Sequence, residues 1–200
     1  MKNIIRLEGA CFMTKGKVSI ISALLLFVIS GCSSTTNWPQ FSGFLDDYTG
    51  MHRSSEIEGV FLIKHGTKNV NDYSKFLVGP VNIRLTPDAK AYSMSKTELE
   101  KIARSFRNDI IRALKTNHTV VNKPGKGVLL VHVAITDILK SGSSGSAKGI
   151  VEAAFIDTST KERIAAVLTS DKGMYFDEWA GILRDRLHYL NSATKVYKFE

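Results

Sequence analysis

Apolar and polar positions alternate or recur in ways that divide the chain after residue 40 into strands and helices. Val60 to Ile63 is a short apolar run before Lys64-His65-Gly66 and predicts a strand. Phe76 to Leu85 predicts a longer one, in which Val81, Ile83 and Leu85 alternate with Asn82 and Arg84, so that one face is wet. Gly79-Pro80 interrupts it, as expected of an edge position or a bulge. Ser95 to Lys115 gives the clearest helix. Ser95 and Glu98 have the spacing of a capping box, and Leu99, Ile102, Ala103, Phe106, Ile110, Ala113 and Leu114 form one apolar stripe. Thr119 to Asn122, Pro124-Gly125-Lys126-Gly127 and Val128 to Asp137 read as strand, turn, strand. In the last of these, Val131, Val133 and Ile135 share one face, and Leu130, His132, Ala134 and Thr136 the other. Ile150 to Ile156 and Ile164 to Leu168 flank Asp157 to Glu162 as a hairpin on a polar turn. Phe176, Trp179, Ala180, Leu183, Leu187 and Leu190 mark a second amphipathic helix, with Asp177 and Glu178 at its favourable end.

Two stretches stand outside this pattern. Phe41 to Tyr48 carries three aromatics and a leucine in eight residues, which calls for burial. It reads as a latch across the domain, with a docking peptide for a partner as the alternative. Its Asp46 and Asp47 point apart and have no third ligand nearby, so they make a poor cation site. Ser141 to Ser146 lacks the Lys-Ser/Thr ending of a phosphate loop and reads as a flexible connection.

The apolar run from Val18 to Ile29 is too short to span a bilayer comfortably. Lys15 and Lys17 precede it, and Ser30-Gly31-Cys32 closes it, which is the layout of a secretory signal. Ile29-Ser30-Gly31-Cys32 resembles the lipobox of bacterial lipoproteins. The resemblance implies that residues 1–31 are removed and that Cys32 becomes the acylated first residue. Residues 32–40 then form a lipidated tether, and 41–200 a single globular domain. Met13 opens a compact leader of its own, so residues 1–12 read as an over-extended start. Ser33 after the cysteine resembles the enteric pattern for the outer membrane, facing the periplasm.

This leader changes what composition says. The chain has 27 basic and 19 acidic residues, a net charge of +8. Lys2, Arg6, Lys15, Lys17 and Glu8 leave with the leader, so the mature net charge falls to +5 and the case for an anionic partner weakens. Cys11 also leaves and Cys32 is committed to lipid, so the domain has no disulfide and no thiol nucleophile.

Little catalytic chemistry is visible. The five histidines are scattered with no metal-ligand spacing, and no Gly-x-Ser-x-Gly elbow occurs. His132 sits in a strand alternation and reads as a half-buried hydrogen-bonded residue. Asp137, Glu152 and Asp157 are the acids that could meet as a hydrolytic pair. No catalytic residue, metal site or cofactor is assigned. Lys101, Arg104, Arg112 and Lys115 fall on the side of the first helix away from its apolar stripe. They read as a solvated face, or else as a contact for anionic lipid or lipopolysaccharide. Nucleic acid is not expected as a partner, since the basic residues are not interleaved with aromatics.

Several short motifs occur in order: Ser42-Gly43-Phe44-Leu45-Asp46-Asp47-Tyr48, Asp72-Tyr73-Ser74-Lys75 before Val78-Gly79-Pro80-Val81, Val120-Val121-Asn122-Lys123-Pro124-Gly125 before Val133-Ala134-Ile135-Thr136-Asp137, and Asp157-x-x-Thr160. Together, after a lipobox, they resemble the proteobacterial lipoproteins grouped as domain-of-unknown-function 3313, over most of residues 41–195. Lys161 departs from that pattern, which more usually has Gly there. The resemblance implies an envelope lipoprotein and supplies no catalytic residues.

The expected fold is α+β: a mixed, mostly antiparallel sheet of about five or six strands carrying two amphipathic helices. One parallel crossover is expected through the first helix. The expected function is a non-enzymatic, membrane-anchored envelope module that binds an envelope protein or an anionic glycolipid. A periplasmic hydrolase of wall polymers and a basic-faced lipid-binding module are the alternatives.

Overall fold

The longest alternating run becomes the strand on which the sheet is built. In a computed structural model, which describes residues 38–140, 147–185 and 187, Val128–Lys140 (β5) pairs along most of its length with Lys148–Asp157 (β6). Further strands are His52–Arg53 (β1), Val60–Lys64 (β2), Lys75–Ile83 (β3), Thr119–Val121 (β4), Arg163–Thr169 (β7) and Met174–Tyr175 (β8). Their order is β1-β2-β7-β6-β5-β3-β4, with β8 beside β6. The sheet thus has eight strands, above the expected five or six. The excess is β1 and β8, whose two residues each are too short to show a period.

The sheet is mixed and mostly antiparallel. β3 runs parallel to both β4 and β5 and lies between them. The expected strand–turn–strand over 119–137 is therefore not a paired hairpin: residues 122–127 carry the chain from one flank of β3 to the other.

Gly79-Pro80 is a bulge and an edge at once. The β3–β5 register shifts between Val78 and Val81. Before the shift Phe76 and Val78 face the main core, and after it Val81 and Ile83 do, because one slip in a two-residue period exchanges the faces. β4 pairs only with Lys75 to Leu77, so Pro80 needs no partner on that side. Arg107 covers the exposed backbone, donating from Nε to the Gly79 carbonyl (3.0 Å) and from Nη2 to that of Val78 (2.9 Å).

The helices are Lys96–Leu114 (α1) and Phe176–Asp185 (α2). α1 starts where predicted: the Ser95 hydroxyl accepts the Glu98 N–H (3.3 Å), and the Glu98 carboxylate accepts the Ser95 N–H (2.8 Å). Both helices cover one face of the sheet. Ala103, Phe106, Ile110 and Leu114 meet Phe176, Trp179, Ala180 and Leu183 over Val131, Val133, Val151, Ala153 and Ala165. Phe106 stacks on Phe176, with centroids 4.4 Å apart, and meets Trp179 edge-on at 5.4 Å. The small side chains Ala153 and Ala165 lie on this face, as close helix packing requires. Gly149 has a related reason: a Cβ there would lie 2.5 Å from the Asp137 carbonyl and 2.7 Å from Phe176 Cζ. Leu187 is buried with α2, whereas Leu190 lies outside the described residues.

The other face is covered by the N-terminal segment. Leu45 and Met51, with Phe44 and Tyr48 partly buried, pack on Phe61, Ile63, Ala154, Ala166 and Leu168. The Phe41–Tyr48 stretch is thus a latch that closes a second, smaller core. The β6–β7 turn keeps the backbone of a glycine turn: Lys161 has φ +64°, in the left-handed region where the family resemblance places Gly. The Ser141–Ser146 connection lies outside the described residues.

Candidate functional site

Two buried carboxyl groups organise the polar interior, and both hold chain segments together. Asp157 ends β6 and is 5% exposed. It accepts hydrogen bonds from Lys68 Nζ (2.8 Å), the Tyr73 hydroxyl (2.8 Å), Ser159 N–H (2.8 Å) and Thr160 N–H (3.2 Å). Next to it, the Thr158 hydroxyl accepts from Gly125 N–H (3.0 Å) and donates to the Gly125 carbonyl (2.8 Å). Three of the sequence motifs, those of Tyr73, Gly125 and Asp157, therefore meet with Lys68 at one end of the sheet. Lys68, and after it Tyr73, holds the Asp157 carboxyl far below the usual carboxylate range. Burial and the bond to Asp157 push the Tyr73 phenol up.

Asp157 thus has a lower pKa folded than unfolded. Its stabilisation is complete above the unfolded value, about pH 4, and is lost as pH falls below it. Asp157→Asn is expected to cost at least about 2 kcal/mol at neutral pH, because both carboxylate oxygens accept hydrogen bonds and an amide can accept at only one of its two positions. The variant should also lose less stability than the native protein between about pH 4 and pH 2. Urea melts at pH 7, 4 and 3 check this, and parallel stability curves for the two proteins would contradict it.

Glu152, at the middle of β6, is 0% exposed and faces the latch. Its Oε1 accepts the Ser42 N–H (2.8 Å), and its Oε2 accepts the Tyr48 hydroxyl (2.5 Å). That phenol in turn accepts the N–H groups of Gly43 (3.1 Å) and Leu45 (3.3 Å). Burial first, and then the bond to Glu152, push the Tyr48 pKa up to about 12. Arg163 fastens the far end of the latch by donating to the carbonyls of Leu45 and Asp47. It also donates from Nε to His65 (3.0 Å). Burial, and after it the Arg163 charge, depress the His65 pKa.

Asp137, the third acid, accepts the N–H groups of Ala91 (3.0 Å) and Ile138 (2.7 Å). The three acids do not meet. Glu152 and Asp157 are five residues apart along one strand, roughly 16 Å at the usual rise, and each is bonded to its own segment. His132 is half-buried, 3.2 Å from Asn82 Nδ2 and packed on Phe44, and burial lowers its pKa. Among the described residues no cluster of His, Cys, Asp and Glu could hold a metal.

Lys101, Arg104 and Arg112 are exposed on α1, and Lys115 is exposed at its C-cap. Arg104 pairs with Glu100 (3.7 Å) and Arg112 with Asp109 (3.0 Å), so the face carries less charge than its four cations suggest. Beside it lie two grooves, one of about 320 Å³ between α1 and the free edge of β3 and one of about 360 Å³ between α1 and the segment that follows β3, with Ile83 and Glu100 lining both. Cys32 lies outside the described residues. Among those residues, no helix is long and apolar enough to cross a membrane.

The sequence profile of the family described as "Protein of unknown function (DUF3313)" matches residues 40–147. The chain belongs to this family. The DUF3313 match begins with the latch and runs through α1 to the end of β5, so it contains both partners of Glu152 and both side chains that donate to Asp157. No curated protein matches the chain. Among solved structures, the PelC dodecamer from Paraburkholderia phytofirmans is similar, at 14% identity and TM-score 0.40, covering 66% of this chain and 95% of that one. A Helicobacter pylori protein described as a homologue of a neuraminyllactose-binding hemagglutinin is similar at 13% identity and TM-score 0.29, covering 68% and 89%. Similarity this slight assigns this DUF3313 chain neither their assembly nor their ligands.

Sequence inspection missed Arg163, Arg107, Lys68 and Tyr73 as organising residues. Each bonds to a segment between 28 and 118 residues away, and no local pattern records such a contact.

Proposed function

We propose that this protein is a lipid-anchored accessory module of the bacterial envelope. In this reading Cys32 carries the acyl chains, and the folded domain binds or supports another envelope component from the periplasmic side of the outer membrane. The observation that carries it is Ile29-Ser30-Gly31-Cys32 at the end of a basic-then-apolar leader. A non-enzymatic role is supported by the use of the buried acids. Asp137, Glu152 and Asp157 each bond to neighbouring chain segments and do not face a shared cleft. Metabolic labelling with palmitate tests the anchor. The native protein is expected to take up label and Cys32→Ser to take up none, with the variant retaining its leader. Equal labelling of the two would end this reading.

A further inference from the structure

Four large hydrophobic side chains among the described residues are exposed, and two of them stand together where the fold begins. Trp38 is 45% exposed and Phe41 46% exposed, with ring centroids 6.3 Å apart. The backbone beside them is fixed. Pro39 is buried, Gln40 Nε2 donates to Asp88, and Ser42 N–H is held by Glu152. Trp38 also packs on the buried Phe61 ring at 4.7 Å, and the exposed Arg53 guanidinium lies 5.4 Å from the same ring. An aromatic pair with an adjacent arginine is therefore displayed on a rigid support, where neither ring gains from exposure to water.

The occupant follows from the chain that precedes it. Trp38 is the sixth residue after Cys32, and six residues reach at most about 20 Å whatever their path. If Cys32 is acylated, this patch cannot stand far from the bilayer surface. Tryptophan is favoured at the headgroup layer, and arginine can lay its stem there with its charge among phosphates. We propose that Trp38 and Phe41, with Arg53 beside them, insert into the headgroup layer of the bilayer that receives the Cys32 acyl chains, and so orient the domain. This rests on the anchor reading above. Asp46 and Asp47 stand exposed on the same latch, so apolar contact and not net charge drives the insertion. Raising the salt concentration should leave it in place.

The chain has two tryptophans, and Trp179 is buried between the helices at 3% exposure, which makes a clean optical test. The mature protein is purified from membranes, its Cys32 adduct is read by mass spectrometry, and it is reconstituted into phosphatidylethanolamine–phosphatidylglycerol vesicles with brominated acyl chains. Emission from Trp38 is expected to shift to the blue and be lost to bromine quenching, while Trp38→Phe leaves only unquenched Trp179 emission. Acylated protein that the bromolipid does not quench would overturn this inference alone. So would equal quenching of native protein and Trp38→Phe, or a blue shift without quenching, which would place a protein partner or second copy on the patch. An unmodified Cys32 would overturn this inference together with the anchor.

Discussion

Phe106→Ala is expected to cost about 3–5 kcal/mol, the range for truncating a fully buried aromatic residue. Phe106 is 1% exposed and joins α1 to Phe176 and Trp179 of α2. Its loss removes the transfer energy of the ring and leaves a cavity between two helices and a sheet. The walls cannot collapse into it without breaking other contacts. One wall is β5 and β6, fixed by a ladder that runs from Leu129 to Lys140. The other is α1, whose first turn is capped by Ser95. For a domain of this size such a loss corresponds to a fall of roughly 10 °C in melting temperature. Thermal or urea melts followed by circular dichroism measure it. A change below about 1 kcal/mol would mean that the α1–α2 contact does not carry the main core.

Glu152→Ala is expected to release the latch, at a cost of about 2–4 kcal/mol. The substitution leaves the Ser42 N–H and the Tyr48 hydroxyl facing a space with no acceptor. It also creates a small cavity between β6 and the latch. Two consequences separate this from generic destabilisation. The first is local: protease should cut between Phe41 and Met51 under conditions where the native protein resists and the helices remain intact. The second is spectroscopic. The Tyr48 pKa, pushed up to about 12, owes part of its shift to Glu152, so one phenol should titrate lower in the variant. Tyr48→Phe should show the same proteolysis, because it removes one bond to the carboxyl and the acceptor of the Gly43 and Leu45 N–H groups. If the latch stays resistant in Glu152→Ala, the apolar contacts of Leu45 and Met51 alone hold it.

The two results bear on function through the same geometry. The latch is the segment that links the sheet to Trp38 and, beyond it, to the chain leading back to Cys32. In the anchored state proposed above, releasing it would lengthen the tether by about ten residues, roughly 30 Å of extra reach. The rigid presentation of Trp38 and Phe41 would be lost with it.

Sequence alone determined whatever is written within one turn or one strand. The Ser95–Glu98 box set the start of α1, the alternation from Val128 set β5, and the apolar runs from Ile150 and Ile164 about a polar turn set the β6–β7 hairpin. The breaker pair Gly79-Pro80 marked the bulge, and the apolar density of Phe41 to Tyr48 marked a segment that had to be covered. Caps, periods and breakers act between residues a few positions apart, so the chain states them directly. Tertiary structure decided which distant segments meet. It set β3 between β4 and β5, added the two-residue strands β1 and β8, and gave Tyr48 and Tyr73 carboxyl partners 104 and 84 residues away. It also separated Asp137, Glu152 and Asp157, which sequence allowed to converge. A buried carboxyl must find donors wherever the packed chain supplies them, and that supply is fixed only when sheet, helices and latch close together.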